Sequence, residues 1–141
     1  SEEEQVILVE KNPSATAVAE IVDSKLANQI IEYNHFMLKG DIDKKRIVLL
    51  ALADKFEPLR KNLSMVSKEL ESNVGYLLNK MNIRHNNIEG KNAIDYVKNL
   101  PPEELEEWYD EIYQMLLLAL LTHDNIARNV KVADLKKQIE G

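Results

Sequence analysis

Cysteine is absent from this 141-residue chain, which excludes disulfides and thiolate metal sites. A secreted small-domain framework thereby loses its main support, so a reducing, cytoplasmic setting is expected. Glycine and proline are scarce, at four each, which argues against a fibrous or low-complexity chain. The longest apolar run, Met115 to Leu121, falls far short of the roughly 20 residues a bilayer span needs, so no membrane partner is expected. The opening Ser-Glu-Glu-Glu has the wrong charge for a signal peptide, and Ser1 in place of Met leaves room for a longer parent protein. A phosphate-binding glycine loop, a Gly-x-Ser-x-Gly elbow, a zinc-ligand cluster and an internal repeat are all missing.

What is present fits one folded domain. An apolar content of 45% suffices for one core at this length. The net charge of -6 argues against bulk nucleic-acid binding, but it is unevenly spread. Pro101 to Ala127 holds seven acidic residues and no Lys or Arg, so the remainder sums to +1 and leaves room for a local basic patch.

Hydrophobic spacing predicts an all-α fold: a helical bundle of four long helices plus one or two short ones, with residues 1–13 a linker or arm and 14–141 a single domain. The apolar Val6 to Val9 lies in that arm. Ser14 is the expected cap of a first helix reaching Lys39, since Val18, Ile21, Val22, Lys25 or Leu26, Ile30, Tyr33 and Met37 recur at spacings of three and four. Gly40 ends it. Asp41 or Asp43 should cap the second helix, whose centre, Ile47 to Ala53, is apolar on every face and is expected to be buried on every side. Pro58 forces a kink or restart. From Leu59 an unbroken apolar seam runs through Leu63, Val66, Leu70, Val74 and Leu77 to Met81. Asn82 to Asn92 reads as a loop, and a short helix follows from Ala93 to Asn99. Pro102 begins the last long helix, whose inward stripe is Leu105, Tyr109, Ile112, Leu116 and Leu120. His123 is expected to cap its end, and a basic tail with Val132, Leu135 and Ile139 to form a separate final helix.

Asn79 to Asn92 is the segment with unusual chemistry, holding five Asn, three firm cations and one His. Arginine grips phosphate through paired hydrogen bonds, imidazole moves protons near neutral pH, and Asn supplies donors that do not titrate. Arg84, His85, Asn86 and Asn87 are therefore the candidate substrate-binding residues. The competing structural reading is that Lys80, Arg84 and His85 cap a helix C-terminus while Asn and Gly take turn positions.

Arg84 and Asn86, within an all-helical layout, resemble the HEPN superfamily of phage-defence, toxin-type and RNA-processing domains. That resemblance implies RNA or a nucleotide as ligand, a dimer, and no metal or cofactor. His85 adjoins Arg84, whereas cutting members carry a His several residues downstream, where this chain has Ile88, Glu89 and Gly90. That departure points to binding over cutting. A second hypothesis is a non-catalytic helical interaction or dimerisation module whose seam residues mediate self-association.

Three further features receive bland readings. Glu32 and His35 have a metal-binding helical spacing, but no second Glu-x-x-His accompanies them, so no metal site is expected. Trp108, Tyr109 and Tyr113 read as core or rim. The acids from Glu103 to Glu111 read as a solvated helix start.

Overall fold

The computed structural model describes residues 12–34 and 38–141, and the chain is all-α there, with no strand among the described residues. The helices are α1 (Pro13–Ile21), α2 (Ser24–Asn34), α3 (Ile42–Phe56), α4 (Arg60–Val66), α5 (Lys68–Lys80), α6 (Asp95–Lys98) and α7 (Pro102–Glu140). Single 3-10 turns lie at Glu57–Leu59 and Gly90–Asn92. The first half of α7 is the central post, against which α1, α3, α4 and α5 all pack, while α2 bridges α1 and α3. Among the described residues no helix is long and apolar enough to cross a membrane.

The four-helix plan is only approximate, because local capping cuts two of the expected helices and joins two others. Asn12, not Ser14, caps α1, its side-chain oxygen accepting the Ala15 N–H at 3.2 Å. The expected helix to Lys39 breaks at Val22, which is extended, and Asp23 restarts it by accepting the Leu26 N–H at 3.0 Å. Short polar side chains that bond nearby backbone compete with helix continuation in this way. Gly40 has φ +82°, a left-handed turn that glycine adopts without strain, and Asp41 caps α3 as expected. Val6 to Val9 and His35 lie outside the described residues.

Pro58 stands in the 3-10 turn that separates α3 from α4, as its missing N–H requires. The apolar seam beyond it is not one helix, because Ser67 takes a non-helical conformation between α4 and α5. Arg60 then lies across α5 above Gly75, where a Cβ would meet the guanidinium, and bonds Glu71 at 2.7 and 2.9 Å. Leu63, Val74 and Met81 from the seam are buried in this chain's own core, whereas Val66 is exposed. The centre of α3 is likewise one-sided. Val48, Leu49, Leu52 and Ala53 are buried against its neighbours, but Ile47 is 57% exposed because no described element covers that flank.

The last long helix and the basic tail form one continuous α7 of 39 residues, about 58 Å long. His123 is therefore inside a helix and caps nothing. From Ala127 to Gly141 every residue is exposed, so this half stands clear of the bundle.

Candidate functional site

The Asn-rich loop is built by Asn82, which follows α5 with φ +59°, a left-handed conformation that Asn tolerates better than most residues. Its side chain accepts the Asn87 N–H at 2.9 Å, and the Asn87 side chain accepts the Asn82 N–H at 2.7 Å. This reciprocal pair closes the loop. Asn87 is 2% exposed, and its amide also donates to the Asn92 carbonyl at 3.0 Å. Its own carbonyl accepts the Ile94 N–H. Asn86 caps the following turn by accepting the N–H groups of Ile88 and Glu89 at 3.0 and 2.8 Å. The whole loop is pinned to the bundle because the Asn82 carbonyl accepts from Arg46 and from the Tyr109 hydroxyl, and Ile83 is fully buried. Burial pushes the Tyr109 hydroxyl up to about 12, so it remains a donor at neutral pH.

Arg84 turns away from this pair to bond the Glu57 carboxylate and the Ala53 carbonyl. Burial would raise the Glu57 carboxyl, but Arg84, together with Arg60, outweighs it and holds the group below its ordinary value. His85 is exposed and faces a shallow basin of about 400 Å³ with Lys80, Asn87, Lys91 and Asn92. The four candidate residues are thus adjacent in sequence but divided in space. His85 and Asn87 share the basin, Arg84 pairs with α3's end, and Asn86 lines a separate cleft with Arg46 and Glu89.

A second polar constellation escaped the sequence reading. Lys45 of α3 is 6% exposed and bonds Glu106 at 2.9 Å and Asp110 at 2.8 Å, so these two acids are not merely a solvated helix start. Tyr33 donates to Asp110 at 2.7 Å and stacks on Tyr113, with ring centroids 3.9 Å apart. Burial and the neighbouring Asp110 carboxylate push the Tyr33 hydroxyl well above its ordinary range. Burial alone would lower the Lys45 ammonium, but its bonds to Asp110 and Glu106 outweigh that and raise it. No buried side-chain polar atom there lacks a partner, and the bonds join α2, α3 and α7 as a structural clamp. A Lys inside the amphipathic α3 and the i, i+4 acids Glu106 and Asp110 were the available signal. Trp108 sits on the rim at 39% exposure, while Tyr109 and Tyr113 are core.

No cluster of His, Cys, Asp or Glu able to hold a metal occurs among the described residues. No family model matches the chain, and neither a curated protein nor a solved structure matches it.

Proposed function

We propose that this chain is a non-catalytic helical interaction module whose contact element is the projecting half of α7. The supporting observation is that Val130, Val132, Leu135 and Ile139 are 48 to 74% exposed on a helical stretch that touches nothing else in the described structure. An isolated helix of that length is marginal in water, so a packing partner is what would stabilise it. The committed bonds of Arg84, Asn86 and Asn87 favour this reading, since they leave the loop's polar groups occupied in holding the fold. A photo-activatable residue at position 135, introduced into the protein in its source cells, tests it. A discrete protein adduct is expected from position 135 and not from the exposed Tyr76 on α5. Absence of any adduct at 135 would overturn the reading.

A second reading, a HEPN-like domain that binds RNA or a nucleotide in phage defence or a toxin-type system, draws support from the basin beside the loop. Lys80, His85 and Lys91 converge there without an ion pair among the described residues, a suitable lining for phosphate. Substituting Lys80 and Lys91 by Ala should weaken oligoribonucleotide binding at least tenfold on this reading, measured by fluorescence anisotropy. A parent protein with no affinity removes it.

A further inference from the structure

Two lysines beside the Asn-rich loop stand apart from the rest of the charge pattern. Lys80 is in the last turn of α5, and Lys91 is in the 3-10 turn Gly90–Asn92. The backbone around both is pinned. The Arg84 N–H donates to the Leu78 carbonyl at 3.0 Å and closes the end of α5, while the Asn87 amide holds the Asn92 carbonyl next to Lys91 at 3.0 Å. With His85 the two lysines line the basin of about 400 Å³, a volume within the range of small-ligand sites. Asn79 and Asn92 complete its polar wall, and their side chains bond nothing among the described residues. No carboxylate lines it. In a chain of net charge -6 the basin is therefore a local excess of positive charge. That excess has edges. The cleft across the loop holds both Arg46 and Glu89, with the Arg46 Nε already given to the Asn82 carbonyl, and the cleft beyond it sets Asp41 and Asp43 against Lys39 and Lys98. Neither neighbouring cleft extends a basic track.

We infer that the basin binds a single phosphate monoester group, carried by a small ligand or by the end of a chain, and not the backbone of a polynucleotide. The inference rests on the phosphate-binding reading above and narrows it. A monoester carries close to two negative charges at neutral pH, which Lys80 and Lys91 match, whereas each diester of a polynucleotide brings one. A backbone continued past the basin would also run onto Glu89 or onto Asp41 and Asp43. His85 contributes a ring N–H, and the Asn79 and Asn92 amides contribute donors that do not titrate. No Phe, Tyr or Trp lines the basin, so a base finds no strong stacking platform there. Recognition is accordingly of the phosphate and not of the group that carries it. The pinned backbone keeps the ordering cost of binding small.

Titration with inorganic phosphate, followed by NMR of the backbone amides, is the first test. Shifts confined to the basin and its loop should saturate in the millimolar range. Lys80→Ala and Lys91→Ala should each weaken phosphate about tenfold, the loss expected from one hydrogen bond to a charged group. Lys91→Arg should retain most of the affinity, and Lys98→Ala, in the neighbouring cleft, should change nothing. All three lysines are exposed, so the urea midpoint of each variant should match the parent. Adenosine 5′-monophosphate should bind at least as well as phosphate, and adenosine should not bind. The decisive pair is one oligoribonucleotide with a 5′-phosphate and the same sequence with a 5′-hydroxyl, compared by fluorescence anisotropy. The phosphorylated form should bind at least about tenfold tighter. Equal affinity of the two, lost together in Lys80→Ala, overturns the monoester site and leaves the polynucleotide reading standing. No response to phosphate, to the mononucleotide or to either oligonucleotide overturns both.

Discussion

The two halves of α7 share one helix but obey different constraints. In the first half Leu105, Tyr109, Ile112, Leu116, Leu117 and Leu120 are buried by four neighbouring helices, and Glu106 and Asp110 clamp Lys45. In the second half apolar residues of comparable size, Val132, Leu135 and Ile139, meet no described neighbour. Residue type and periodicity are alike in both. What differs is whether another element arrives to cover the stripe, so an amphipathic pattern specifies that a face will be covered without naming the cover.

The largest test of that contrast is Leu117→Ala. Leu117 is fully buried, so its truncation should destabilise the fold by about 3 to 4 kcal/mol, read from urea midpoints. A loss below about 1 kcal/mol would mean that the packed half is looser than described.

Next comes the loop anchored to that half through Tyr109. Asn87→Ala leaves the part-buried Asn82 N–H without its acceptor, removes the buried Asn87 amide that bonds Asn92, and should cost about 2 to 3 kcal/mol. Asn86→Ala, which removes an exposed turn cap, should cost about 1 kcal/mol or less. Equal losses would contradict the division between a buried Asn and a surface one.

Acid sharpens the comparison because only the packed half holds a perturbed clamp. Burial opposes ionisation of Glu106, but the Gly40 N–H and the Lys45 ammonium outweigh it and hold its pKa below the ordinary 4.5. The unfolded chain therefore takes up this proton first as pH falls. The stabilisation is fully present above about 4.5 and is lost as pH drops through the lower folded value. Glu106→Gln should flatten the pH dependence of the urea midpoint in that window.

The smallest effect belongs to the projecting half. Leu135→Ala should change the stability of the bundle by under about 0.5 kcal/mol, since Leu135 is 53% exposed. A loss comparable to Leu117→Ala would show that the tail folds back on the bundle.

Much of the helical plan was legible because it follows from short-range rules. Pro58, Gly40, Asp41 and Pro102 act at the boundaries their backbone chemistry demands. The break at Asp23 was not legible, since the apolar stripe continues straight across it. Ser67 hid for the same reason. The fusion of the basic tail to α7 was missed because His123 suggested a helix end, although no residue between His123 and Val132 is a breaker. At the candidate site, composition correctly marked Asn82 to Asn92 as a polar loop. It could not separate buried Asn87 from exposed Asn86, nor turn Arg84 towards Glu57, because those outcomes depend on the left-handed Asn82 and on the end of α3.

By itself, then, the sequence determined the all-α class, the polar loop after α5 and the acidic start of α7, because caps, breakers and apolar periodicity act over a few residues. The tertiary structure alone decided that Lys45 meets Glu106 and Asp110, the latter 65 positions away, and that one end of α7 is buried while the other is bare. Such pairings depend on which helices reach one another, and that is settled by the packing of the whole chain.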